Sequence, residues 1–230
     1  MSAILAIPIF WLVATLIIFE GADILSRRSG RHPLCHPVLL ATPALIGLLL
    51  ATGTPYPAYR ESTALLNFLL GPAVVGLAVP IWQQRRLIRR LAKPLALALL
   101  AGAATAITSV VGILWLFGAP SEILASAAPR ATTTPVAIEM AAQLGGVPAL
   151  ATAIVLCSGI LGAMIATPIF DALKISDFRA RGFSVGISAH GLGAARAFQV
   201  NSTAGAFASL GMALNAVATC VMLSLIALLV

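Results

Sequence analysis

Residues 126–146 read SAAPRATTTPVAIEMAAQLGG, and they interrupt a chain that is otherwise mostly Ala, Leu, Ile and Val. Two prolines, three consecutive threonines, an arginine and a glutamate fall within this one stretch. The residue before a proline avoids helical geometry, threonine is a good N-cap, and proline fits the first position of a helix. Thr134-Pro135 therefore predicts the start of a half-helix, PVAIEMAAQL, ended by Gly145-Gly146. Upstream, SEILASAAP predicts a second short helix, with Ser121 as N-cap and Glu122 in its first turn. The stretch is then a broken helix with an irregular joint from Arg130 to Thr134. Irregular backbone at membrane depth survives only where protein or a water-filled cavity surrounds it.

The rest of the chain makes membrane depth the right frame. Its 230 residues are 60% hydrophobic and 9% charged, with a mean hydropathy of +1.04. A soluble domain carries about 25% charged residues. There is too little polar surface here to cover a globule in water, so the solvent is lipid. The length permits one domain, residues 1–230, with about seven or eight crossings of roughly 20 apolar residues each. The net charge of +7 raises nucleic acid as a partner. The distribution argues against it. Most basic residues lie in three short breaks between apolar runs: Arg27, Arg28 and Arg31; Arg85, Arg86, Arg89, Arg90 and Lys93; and Lys174, Arg179 and Arg181. Cytoplasmic loops of membrane proteins have this pattern, and no aromatic residues interleave with the charges as a single-strand binder needs.

Apolar runs predict an all-α, polytopic membrane protein with about six to eight membrane segments. The spans fall at about residues 3–19, 34–52, 62–82, 94–118, 147–170 and 204–230. The N-terminal run has no basic region before it, so it reads as a first span and not as a cleaved signal peptide. If the basic clusters share the cytoplasmic side, segment 121–146 must start and end outside. Segment 182–199 must then dip in from the cytoplasmic side, so both are expected to be re-entrant or broken. The expected location is the inner (plasma) membrane, crossed several times.

The joint has the chemistry of an anion site. The free N–H groups of a half-helix carry about half a positive elementary charge, and Arg130 adds a full one with a planar, forked donor set. Thr132, Thr133 and Thr134 supply short hydrogen bonds. Together they suit a carboxylate with a neighbouring hydroxyl or keto group. The competing reading seats Arg130 in the outer headgroup zone, with the threonines satisfying backbone. Glu139 is either a proton carrier or a headgroup residue. In the second interrupted segment, RGFSVGISAHGLGAARAF, Ser184, Ser188 and His190 supply polar groups among four glycines. Ser188 and His190 are expected to approach the substrate from this side. A proton-coupling role for His190 stands beside the commoner case of a packed histidine bonded to a backbone carbonyl.

Other signals are weak. His32, Cys35 and His36 in RHPLCHP have a spacing that suggests metal, but two prolines in a loop argue against a site, so no metal or cofactor is expected. The three cysteines are far apart and imply no disulfide framework. No catalytic set of acids, serine and histidine is visible, so the chain is not read as an enzyme.

In order along the chain, TGTPYPAY, LLGPAVVGLAVPIWQQRRLI, SAAPRATTTPVAIEMAAQLGGVPAL, SGILGAMIATPIF and RARGFSVGISAHGLGAARAFQVNSTAGAFASLGMAL resemble successive blocks of the LrgB/CidB membrane-protein family. The resemblance runs from about Thr52 to Leu214. Arg130 in Pro129-Arg130-Ala131-Thr132-Thr133 stands where a lysine is common in that family. Gln199, Asn201 and Thr203 stand where many of its members carry acids, so a coupling mechanism relying on an acid there has no counterpart in this chain. The resemblance implies two functions. One is secondary transport of small monocarboxylates (glycolate, glycerate, pyruvate or lactate) by alternating access. The other is holin-like regulation of murein hydrolases and lysis, with a small LrgA/CidA-like membrane protein as partner. A homodimer is expected of a carrier that slides against a fixed scaffold.

Overall fold

The computed structural model describes residues 8–30, 35, 37–76 and 78–229. Its regular elements are α-helices throughout the described residues, and the chain gathers into two compact units, Met1–Ala78 and Val79–Val230.

The first unit holds α1 (Pro8–Arg28), α2 (Pro37–Thr52), α3 (Tyr56–Ser62) and α4 (Ala64–Gly76). Helix α1 runs well past the expected end at residue 19. Its charges do not stop it, because Arg27 binds Asp23 at 2.5 Å and Glu20 at 3.2 Å along the same helix. Trp11 is buried, edge-on to Tyr59 at 5.8 Å between ring centroids. The Tyr59 hydroxyl lies 3.1 Å from the Thr15 hydroxyl. His32 and His36 lie outside the described residues.

The second unit follows with α5 (Ala78–Gln83), α6 (Arg85–Arg90), α7 (Ala92–Leu116), α8 (Ser121–Ala127), α9 (Thr134–Gln143), α10 (Pro148–Ala172), α11 (Phe178–Val200) and α12 (Ser202–Leu229). Four described helices are long and apolar enough to span a membrane: Ile9–Arg28, Ala92–Leu116, Pro148–Ala172 and Ser202–Leu228. A fifth arises if α2 and α3, bent by 117° at their break, form one span. Four or five spans are thus counted among the described residues, and the expectation of six to eight segments, two of them interrupted, is not confirmed. With its 16 residues, α2 covers about 24 Å, less than the roughly 30 Å of bilayer hydrocarbon. Within the run at 62–82 the described residues form α4, which carries Pro72, and α5.

Two hairpins occupy the heart of the second unit. The first is α8, a joint over residues 128–133, and α9. The last turn of α8 and the hairpin's exit both sit at the start of α10, where the Ser126 hydroxyl accepts from the Val147 N–H at 2.7 Å. Its tip lies far down α10, where the Ser158 hydroxyl donates to the Arg130 carbonyl at 3.2 Å. The second hairpin is α11 itself, broken at His190 (φ 41°, ψ −133°). Its outgoing half lies on α12 so closely that a Cβ at Gly182 would meet the Ala204 carbonyl and one at Gly186 the Ala208 carbonyl. Its returning half ends at Phe198, beside Gly205 near the start of α12. This hairpin thus enters and leaves at the end of the unit opposite to the first. Asp177 caps α11 by accepting from the Arg179 N–H at 2.8 Å. The Arg179 side chain bonded to it, more than any other influence, lowers its pKa to about 2, so the cap persists throughout the physiological range.

The basic clusters at 85–93 and 174–181 meet at that same end. Leu91, Pro94 and Leu95 line one hollow with Asp177, Arg179 and Ala180. A shared face for these two clusters is what charge bias predicts.

Candidate functional site

The tips of the two hairpins meet halfway along α10 and α12, and each is held there by side chains from its neighbours. In the first tip the Thr132 hydroxyl donates to the Pro129 carbonyl at 2.8 Å, and Ser158 serves Arg130 from α10. The Asn215 amide donates to the Ala131 carbonyl at 2.9 Å from α12. This is how a protein keeps non-helical backbone at membrane depth: the orphaned carbonyls receive donors from adjacent spans.

Helix α9 starts one residue earlier than the sequence predicts. Thr133, not Thr134, is its N-cap, with extended backbone at φ −72° and ψ 151°. The Thr133 hydroxyl makes no capping bond. Pro135 in the first turn has no N–H to offer, which removes one of the donors a cap would satisfy.

In the second tip, His190 is buried at 4% exposure, with Nε2 3.0 Å from the Val155 carbonyl. Gly159 makes this seat, since a Cβ there would lie 2.5 Å from the imidazole ring. Ser188 and Ser184 face outward from the outgoing half, and the Ser188 hydroxyl donates to the Ser184 carbonyl at 2.8 Å.

Two clefts open on either side of this meeting point. One, of 490 Å³, is lined by Arg130, Ser158, Gly162, Phe170, Ser184 and Ser188 among others. The other, of 380 Å³, is lined by Arg130, Ser184 and Ser188 with Gly102, Thr105 and Ser109 of α7. Arg130, Ser184 and Ser188 are common to both. Arg130 is half-buried, and among the described residues no carboxylate pairs with it.

Of the residues singled out from sequence, Arg130 and Ser188 thus come together at the clefts. Thr133 and Thr134 stand half-buried at the start of α9. Thr132 and His190 are buried in the hairpin tips and do not line either cleft. Glu139 lies on the exposed side of α9, where its carboxylate accepts from the Gln143 amide at 2.9 Å. Sequence reasoning missed Ser158 and Asn215. A signal for the second was present: a lone carboxamide in the middle of a long apolar helix asks for a partner.

The sequence has counterparts among known proteins. The model of the LrgB-like family matches residues 15–229. An uncharacterized protein YwbG of Bacillus subtilis (strain 168) is 32% identical over 213 residues, 93% of this chain and 94% of the relative. A protein named holin-like protein CidB from Staphylococcus epidermidis (strain RP62A) is 30% identical, covering 86% of each chain. One of the same name from Staphylococcus aureus (strain Mu50) is 27% identical, covering 95% of each. No solved structure matches.

Proposed function

Because this chain belongs to the LrgB-like family, a family of membrane proteins, we propose that it is a secondary carrier of small monocarboxylates bearing a 2-hydroxy or 2-keto group. One observation supports this reading above the others. A half-buried guanidinium without a carboxylate partner stands where two hairpins from opposite ends meet, and it opens onto two clefts. A cation in a low-dielectric interior is unfavourable unless an anion joins it. Here the protein supplies none among its described residues, so a mobile anion completes the pair. The guanidinium fork matches a carboxylate in two parallel bonds. The hydroxyls of Ser188 and Ser158 offer partners for a substituent on the neighbouring carbon. Thr133 and Thr134 flank Arg130 from the same joint. Thr132 and His190 serve the site from behind by holding the two tips in shape. A pair of hairpins meeting at mid-depth is also the arrangement that rigid-body alternating access requires.

The names of the Staphylococcus relatives favour a second reading, a holin-like protein, for which the sequence resemblance implies control of lysis with an LrgA/CidA-like partner. Transport measurements separate the two. In proteoliposomes of the purified chain, a carrier gives saturable uptake of glycolate, lactate or pyruvate, accelerated by unlabelled substrate on the far side. A pore gives flux that rises linearly with concentration and releases an uncharged dye. Linear flux with dye release would overturn the carrier reading.

A further inference from the structure

We propose that Asn215 is a positioning residue that sets Arg130 against Ser188; the proposal rests on the carrier reading of the clefts given above. Asn215 lies midway along α12 and is fully buried. Its Nδ2 donates to two backbone carbonyls, Ala131 at 2.9 Å and Ile187 at 3.2 Å. Both partners are pure acceptors, so the nitrogen must be the atom that faces them. The Thr219 hydroxyl donates to Asn215 Oδ1 at 3.5 Å and keeps the carboxamide turned that way.

The two carbonyls are the telling feature. Ala131 follows Arg130 directly, and Ile187 directly precedes Ser188. Each belongs to a hairpin that enters from a different end of the unit. One side chain therefore ties together the backbones that carry Arg130 and Ser188, two of the three residues that line both clefts. The Ala131 carbonyl lies in the irregular joint, and the Ile187 carbonyl lies in the last helical turn before the break at His190. Ser158 and His190 tie each tip to α10 separately, whereas the Asn215 amide bonds to both tips and so sets their register against each other.

The variant Asn215→Leu keeps the approximate volume and removes both donors. Two readouts test it on the full-length chain. In hydrogen–deuterium exchange of the purified protein, amides over residues 128–134 and 186–192 should exchange about tenfold faster, with α7 and α10 unchanged. In proteoliposomes, the half-saturating carboxylate concentration should rise about tenfold while the maximal rate falls less than about threefold. Thr219→Val, which removes only the orienting hydroxyl, should shift both readouts the same way by about threefold, and it decides the matter if Asn215→Leu does not fold. Unchanged exchange at the tips, or faster exchange spread evenly over the unit, overturns the proposal. Faster exchange confined to the tips, in a protein whose unsubstituted form shows no saturable uptake, upholds the tether and sinks the carrier reading instead.

Discussion

Arg130→Gln is expected to lower the maximal rate of saturable carboxylate uptake about a hundredfold, equivalent to about 2.7 kcal/mol of lost interaction, while the protein still purifies as a folded, monodisperse species. The reason lies in which atoms of Arg130 do structural work. Its carbonyl is held by Ser158 and its N–H by the Ala127 carbonyl at 3.1 Å, and both survive the substitution. Its guanidinium faces the clefts and holds nothing in place among the described residues. Removing the charge therefore removes ligand binding and spares the joint. Arg130→Lys separates charge from geometry. The ammonium restores the attraction but not the planar fork, so uptake should recover to within about tenfold of the original with weaker discrimination among carboxylates. Uptake by Arg130→Gln at the original rate would remove the cation from the site.

The largest effect on folding is expected from Gly186→Val. The outgoing half of α11 packs on α12 through Gly182 and Gly186, four residues apart, opposite Ala204 and Ala208. Small residues at this spacing let two helix backbones approach closely. The group that an added side chain meets is a backbone carbonyl in both cases, and a carbonyl cannot rotate away as the end of a long side chain does. The helices must separate, and His190, Ser188 and the Asn215 bonds move with them. A loss of about 3 kcal/mol or more follows from overpacking of this kind, seen as a fall of roughly 6–12 °C in thermal unfolding for a chain of this size. Gly191→Ala is the matched control. A Cβ there meets only the Met212 sulfur at 3.8 Å, an ordinary contact, so its effect should stay within about 0.5 kcal/mol. Equal unfolding temperatures for the two variants would show that the close approach is not what holds α11.

Both hairpins are visible in the sequence because each breaks a local rule. Thr134-Pro135 forbids a continuous helix, and the basic clusters around it leave a dip and return as the consistent path. The glycines around His190 do the same for the second. The shift of the cap from Thr134 to Thr133 is a one-residue matter that local propensity does not resolve. Composition does not foretell the 117° bend between α2 and α3, because hydrophobicity reports the environment of a run but not the path of its helix. The apolar run ends at about residue 19, whereas α1 continues through Glu20 and Asp23, which both pair with Arg27. Ser158 and Asn215 escaped for a different reason. A serine in a span reads as bonded to its own helix, and the Ser158 hydroxyl does lie 3.0 Å from the Val155 carbonyl. Its second partner is 28 residues away in sequence, and one partner of Asn215 is 84 residues away. Such contacts exist only once the spans have packed.

The claim on which the account rests is that water and a small anion reach Ser188 and Arg130 at mid-depth of the bilayer. Ser188→Cys, in a chain whose Cys35, Cys157 and Cys220 are replaced by Ala, tests it most directly. In sealed vesicles this thiol should react with a membrane-impermeant, charged reagent, and a saturating small carboxylate should slow that reaction at least about threefold. A thiol that resists the charged reagent while reacting with a lipid-soluble maleimide would place Ser188 against acyl chains and contradict the account.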